Sequence, residues 1–291
     1  MVNSKSFVLS ASFPGSKKGY EGLKKALDTI APYHFTTIEY YSQDVSADKV
    51  SRLMEGRRSI FLAGALQKAA GLNPCALDRD VRGKAVAELG ECFRFARQAG
   101  AGALMLSSGP RPEHEADDPQ CLLYLADSLE KLHKLEPGLP ILLEPGDRDI
   151  EYHHLLGYTP VSAEFAAARR GDGLPLGLIF DISHVAQLGE DPGAAWAIAR
   201  PYCDHVHLAN CVLERQHPLY GDKHPFFGVP GGVYSHQDVR SFLSVLREDP
   251  LPLTVSLEVI LPPNEPEESF FSRLLSDTGW FFDWEPDISL S

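Results

Sequence analysis

Residues 253–258, LTVSLE, form a short apolar run whose last residue is a carboxylate. An acid at the end of a buried strand is costly to desolvate, so it either reaches solvent at the sheet edge or meets a cation. Three earlier runs end in the same way. Residues 141–144 (ILLE) stop on Glu144, residues 176–181 (LGLIFD) stop on Asp181, and residues 205–208 (HVHL) carry His207 one residue from the end. Glu, Asp, His and Glu on four consecutive strand ends make a divalent-metal set if those ends converge. A parallel barrel gathers its strand ends at one mouth.

The rest of the chain fits such a barrel. Short β-rich runs alternate with longer amphipathic ones, the pattern of repeated βα units, and eight such units can be counted. The spacing predicts strands at residues 7–12, 36–40 (ending near Glu39), 60–63, 103–107, 141–144, 176–181, 204–208 and 253–258. Helices are expected at residues 20–30, after Asp44 to about Glu55 with Ser46 as N-cap, and at 81–99, 120–135, 162–169, 193–199, 238–246 and 266–275. Gly100 suits the left-handed position that ends the third helix, and residues 64–78 (GALQKAAGLNPCALD) read as a long loop. Between the seventh strand and seventh helix lie residues 209–235, ANCVLERQHPLYGDKHPFFGVPGGVYS. A connection of that length is uncommon unless functional or disordered, and its aromatic and histidine content argues for function, as a lid over the mouth. The expected architecture is therefore one (β/α)₈ TIM barrel over residues 1–291, with a long lid loop after the seventh strand.

Length and composition agree with a single large core: 291 residues, 44% of them hydrophobic. Lys and Arg number 27 against 40 Asp and Glu, a formal charge of −13 that disfavours a nucleic-acid partner. Five cysteines, odd in number and without a CxxC pair, argue against a disulfide framework or a thiolate zinc site. No run approaches the roughly 18 apolar residues of a membrane span, and the first strand is a better reading of the N-terminus than a signal peptide. A cytoplasmic protein is expected, with no membrane partner. The tail GWFFDW (279–284) is apolar enough to pack on the barrel or to form a subunit contact, which leaves a homo-oligomer open.

Three carboxylates and an imidazole form a hard, mostly oxygen donor set, suited to Mn²⁺, Mg²⁺ or Co²⁺ more than to structural zinc, with Zn²⁺ kept as an alternative. The segments LLEPGDRD (142–149), FDISHV (180–185), HVHLANC (205–211) and SLEV (256–259) resemble the metal-binding strand ends of the xylose isomerase-like TIM barrels, which include sugar isomerases, ketose 3-epimerases and apurinic endonuclease IV. Residues 72–109 are similar to the third and fourth units of that family. The resemblance spans nearly the whole chain and implies Glu144, Asp181, His207 and Glu258 as ligands of one catalytic ion. It further implies that His184 contacts substrate or a second metal, and that Asp222 and His224 match an Asp-x-His that binds a further zinc in the endonuclease branch. That branch needs histidines after its third and fourth strands, whereas this chain reads FLAGAL (61–66) and MLSSGP (105–110) there. Endonuclease activity is disfavoured on both counts.

The expected reaction is isomerisation or 3-epimerisation of a small polyol, a ketose or sugar acid, through an enediolate. Glu144 and Glu258 are candidates for base and acid, and His184 for a donor to the developing oxyanion. Arg148, Arg215 and Lys223 are candidates to hold a distal hydroxyl, carboxylate or phosphate beside Asp222 and His224, with Phe226 and Phe227 sealing the lid. Decarboxylation of a 3-oxo sugar acid, with Arg148 on the carboxylate, or a metal-dependent hydrolysis is the alternative. His153, His154, His217 and His236 read as surface residues.

Overall fold

A computed structural model of the protein describes residues 2–42 and 44–283. Eight strands follow one another around a closed barrel, each hydrogen-bonded in parallel to its sequence neighbours, with β1 pairing β8 to complete the ring. They are β1 (Val2–Val8), β2 (Thr37–Tyr40), β3 (Arg58–Leu62), β4 (Ala103–Ser107), β5 (Ile141–Glu144), β6 (Leu176–Asp181), β7 (Cys203–Leu208) and β8 (Leu253–Leu257). Around and over them run α1 (Leu9–Ser12), α2 (Gly19–Ile30), α3 (Ala47–Leu53), α4 (Ala63–Ala70), α5 (Arg79–Gln98), α6 (Asp118–Leu135), α7 (Thr159–Gly171), α8 (Ile182–Gln187), α9 (Pro192–Ala199), α10 (His236–Arg247) and α11 (Glu267–Phe282). Among the described residues no helix is long and apolar enough to cross a membrane.

Local chemistry explains the element ends. Asp78 caps α5 by accepting bonds from Asp80 N and Val81 N, and the helix buries Ala85, Leu89, Phe93 and Ala96 along one face. Gly100, at φ +76°, turns the chain out of that helix where a Cβ would be strained. Ser235 and Asp238 form a reciprocal capping box at the start of α10.

Three expectations are corrected. The first strand stops at Val8, and residues 9–12 form the helical turn α1. The apolar run continues past the strand because Leu9 and Ser12 bury themselves, with Ser12 Oγ donating to Val259 O at 2.8 Å. The presumed loop 64–78 contains most of α4, ended by Gly71 at φ +60°. Gln67 anchors this helix, bonding both Ser107 O (3.1 Å) and Ser107 N (3.0 Å) with its side-chain amide. Finally, the last helix runs on to Phe282 through a non-helical residue at Thr278. Phe282 packs against Phe7, Phe35 and Phe271, so the described part of the tail seals the barrel wall. Trp284 lies outside the described residues.

Candidate functional site

Parallel register brings the four strand-end residues to one side of the barrel mouth. Glu144 and Asp181 are the last residues of β5 and β6, His207 pairs with Asp181 across β6 and β7, and Glu258 follows β8 directly. His207 Nδ1 lies 2.9 Å from Glu144 Oε1, 3.0 Å from Glu258 Oε2 and 3.8 Å from Asp181 Oδ2. One donor atom from each of the four falls within 4.8 Å of all the others.

The chemistry of these donors fits a cation. Glu144 Oε1, Asp181 Oδ2, His207 Nδ1 and Glu258 Oε2 are all buried and face only one another and His224, three carboxylate oxygens around one nitrogen, an arrangement that costs free energy unless a cation satisfies it. Other bonds fix which atom of each residue points inward. Asp181 spends Oδ1 on capping α8, accepting from Ser183 N (2.6 Å) and Ser183 Oγ (2.6 Å), so Oδ2 is left for the cluster. His207 Nε2 donates to Glu39 Oε2 at 2.8 Å, so in the neutral ring Nδ1 is the lone-pair nitrogen facing the cluster; burial lowers the ring's pKa, but Glu39, Glu258 and Glu144 hold it well above its usual range. Burial raises the Glu144 carboxyl above its usual range despite His207 beside it. Burial also acts upward on Glu258, but His224 and His207 prevail and hold it below that range.

Glu39 is fully buried inside the barrel and accepts two further bonds through Oε1, from Ser6 Oγ (2.9 Å) and His205 Nε2 (2.9 Å). The signal for it was present in the sequence, since Glu39 too is an acid at the end of an apolar strand.

The segment after β7 closes the other side of the cluster. Asn210 pins it internally, donating to Phe226 O (2.9 Å) and Tyr234 O (3.2 Å) while accepting from Tyr234 N (2.9 Å). Asp222 Oδ1 then meets His224 Nε2 at 2.7 Å and His184 Nε2 at 3.2 Å. His184 Nδ1 donates to Pro145 O at 2.9 Å, and His224 Nδ1 lies 3.4 Å from Glu258 Oε2. Asp181, His184 and His224 offer a second set of donors within 4.8 Å of one another. Burial alone would lower the His184 pKa, but Asp181 and Asp222 carry it up to about 10.

A cavity of about 550 Å³ opens beside both groups and is walled by Glu144, Glu258, His184 and Asp222 together with Lys17, Leu62, Lys68 and Met105. Seven of the residues expected at the site are thus brought together: Glu144, Asp181, His184, His207, Asp222, His224 and Glu258. Three basic residues are not. Arg148 is buried with its guanidinium bonded to Leu155 O (2.6 Å) and Asp118 Oδ2 (2.8 Å), which fixes the loop after β5. Arg215 is exposed in the segment after β7, away from the cavity, and Lys223 is exposed and paired with Glu151 at 3.2 Å. Phe226 and Phe227 also face away from the cavity. They pack on Phe270 and Trp280 of α11, so they anchor the segment instead of sealing the mouth. His154, expected at the surface, lines the cavity with its ring against Tyr152, and burial lowers its pKa to about 4. Lys17, Lys68, Glu151 and Tyr152 were missed because they sit on loops and a helix whose direction no strand pattern reveals.

No curated protein matches the sequence. Among solved structures, a D-tagatose 3-epimerase-like protein superposes with a TM-score of 0.65 at 18% identity, covering 96% of this chain and 98% of that one. L-ribulose 3-epimerase gives 0.67 at 18% identity over 96% and 86% of the two chains. An AP endonuclease, family 2, from Brucella melitensis gives 0.69 at 17% over 97% and 98%. At such identities the likeness speaks for the fold. The model of the xylose isomerase-like TIM barrel family matches residues 17–272, nearly the full circuit of the closed barrel, and the chain belongs to that family.

Proposed function

We propose that the protein is a divalent-metal-dependent isomerase or epimerase that moves a proton beside the carbonyl of a ketose or sugar acid. The observation that carries this reading is the set of four buried donor atoms on Glu144, Asp181, His207 and Glu258 that converge within 4.8 Å of one another, two of whose carboxylates also wall the cavity. An ion held by these four residues would supply Lewis-acid stabilisation of the negative charge that develops on substrate oxygens. Glu144 and Glu258 each commit one oxygen to the cluster and keep a second for proton transfer, one as base and one as acid. His184, its two ring nitrogens held by Pro145 O and Asp222, lines the cavity beside the cluster and fixes Asp222 there. The segment after β7 serves as a lid that brings Asp222 and His224 to the site. Solved structures named as a D-tagatose 3-epimerase-like protein, an L-ribulose 3-epimerase and a 3-keto-D-glucoside 4-epimerase from E. coli share the fold, which supports the reading. The decarboxylase alternative loses its carboxylate-binding Arg148 to the interior.

The test is NMR-detected deuterium uptake from D₂O into a panel of ketoses and keto sugar acids, with Mn²⁺ or Mg²⁺ and with a chelator control. Metal-dependent exchange at the carbon beside the carbonyl is expected, falling by about 10²–10⁴-fold in Glu258→Gln, the loss typical of a general base. Exchange that survives in the variant, or none on any compound with metal bound, would overturn the proposal.

A further inference from the structure

The cavity that Glu144 and Glu258 wall is also lined by two lysines, Lys17 and Lys68. Among the described residues neither Lys17 nor Lys68 pairs with a carboxylate, and what separates them from Lys18, Lys49 and Lys84, which have no carboxylate partner either, is that they line this cavity.

Both are held in place from behind. Lys17 ends a 3₁₀ turn, Pro14–Lys17, whose Gly15 N donates to Glu267 Oε1 at 2.7 Å, tying the turn to α11. Lys68 stands on α4 one residue after Gln67, whose amide locks that helix to the end of β4. Its ammonium lies 4.2 Å from the centre of the Tyr152 ring, a cation–π contact that orients it. The Tyr152 ring stacks on His154 in turn, and Tyr152 Oη is buried with no hydrogen-bond partner. Burial and the nearby Lys68 cation hold the Lys17 pKa below the ordinary lysine range, with Glu258 pulling weakly the other way. Lys17 thus senses both the second lysine and the carboxylate cluster. An anion between the two amino groups would relieve their repulsion.

We propose that Lys17 and Lys68 form an anion subsite that takes a carboxylate or phosphate at the end of the sugar remote from the reacting carbonyl. The proposal rests on the isomerase reading and narrows its substrate class from neutral ketoses to sugar acids or sugar phosphates. Recognition of the charged end by lysines suits either anion, because an ammonium acts as a compact point charge without the geometric demand of a guanidinium.

Binding separates this inference from the reaction itself. Calorimetric titration of the Mn²⁺-loaded protein with D-glucitol, D-gluconate and D-glucitol 6-phosphate compares one carbon skeleton with neutral, carboxylate and phosphate ends. At least one anion is expected to bind tenfold or more tightly than glucitol at low salt, and the tighter of the two identifies the source. The Lys17→Met, Lys68→Met double variant should lose that preference while its Mn²⁺ affinity and circular dichroism stay as in the wild type. An anion bound directly at the ion would keep its advantage in the double variant. That result, equal binding of all three compounds, or no binding of any overturns the subsite. Failure of deuterium exchange with the anion preference intact would count against the isomerase reading alone.

Discussion

Glu39→Gln tests the interior support of the cluster. In the native protein Glu39 Oε2 accepts from His207 Nε2 at 2.8 Å, and Oε1 accepts from His205 Nε2 and Ser6 Oγ, both at 2.9 Å. Burial pushes its carboxyl pKa up, but the two histidines outweigh burial and hold it well below the usual range. A glutamine is nearly isosteric but must turn its NH₂ toward one set of donors, either His207 or the pair of His205 and Ser6. The variant loses one charge-assisted bond of about 1.5–3 kcal/mol. If the loss falls on His207, the imidazole is freed to change tautomer and Nδ1 no longer has to be its lone-pair nitrogen. Outer partners of metal-bound histidines typically contribute about 10–100-fold to metal affinity. Since about 1.4 kcal/mol is tenfold in an equilibrium constant, the two figures agree. Competitive Mn²⁺ titration against a fluorescent chelator should show Kd weakened 10- to 100-fold, with secondary structure unchanged. A Kd within threefold of wild type would refute the argument that Glu39 sets the orientation of His207.

Glu151→Gln should loosen the segment after β7, because Glu151 Oε2 accepts from Asp222 N at 2.9 Å and from Lys223 Nζ at 3.2 Å. Faster hydrogen exchange across residues 219–224 and roughly a tenfold loss of turnover, in line with one charge-assisted bond, are expected, with Mn²⁺ affinity nearly unchanged. Asp249 accepts from both sides of the Arg200 guanidinium, one bond at 2.7 Å, and this pairing holds its pKa below the ordinary value. A depressed folded-state pKa gives stability that is fully present above the unfolded value of about 3.9 and disappears as pH falls through the folded one. Urea denaturation should find Asp249→Asn less stable by about 1–2 kcal/mol at pH 7, with the difference shrinking below pH 4. All five cysteines are buried, and burial pushes the Cys92 thiol up to about 11 and those of Cys203 and Cys211 up to about 12. A thiol reagent at pH 8 should therefore titrate less than one equivalent in the native protein and five after unfolding.

Strand ends are where sequence and structure agree best, and the reason is physical. β4, β5 and β6 begin and end on the residues that the hydrophobic pattern predicts, because a strand buried on both faces reads as an unbroken apolar run and a polar residue stops it. The same rule placed Glu144, Asp181, His207 and Glu258. It failed at α1, where an apolar run leaves the sheet and stays buried, so that burial persists while the hydrogen-bond pattern changes. It failed again at α4, a short helix that begins directly after the last residue of β3 with no polar turn to mark where the strand stops. Arg148 shows the limit for side chains. A cation three residues past a candidate ligand looks like a substrate clamp, yet the loop after β5 needs its guanidinium to satisfy Leu155 O and Asp118. Which partner a long side chain chooses depends on distant residues brought near by folding, and no local pattern records them.

The site divides between two kinds of support. Ser6, Glu39, His205 and His207 form a hydrogen-bonded column on three strands, β1, β2 and β7, inside the closed barrel, and its upper end is the Nδ1 atom of the cluster. Closed sheets leave such groups little freedom, since shifting one strand breaks pairing on both sides. The other cavity residues stand instead on Pro14–Lys17, on α4 and on the loop after β5, each tied down by side-chain bonds. Among those bonds, Asp147 alone accepts from Ile150 N, Glu151 N and Tyr152 N, so it shapes the loop that presents both Glu151 and Tyr152. On the proposed reading the chemistry of the cluster is therefore built into the barrel, while recognition of the substrate falls to elements that can change without disturbing it. It follows that Asp147→Asn should alter KM and substrate preference far more than Mn²⁺ affinity, whereas Glu39→Gln should do the reverse.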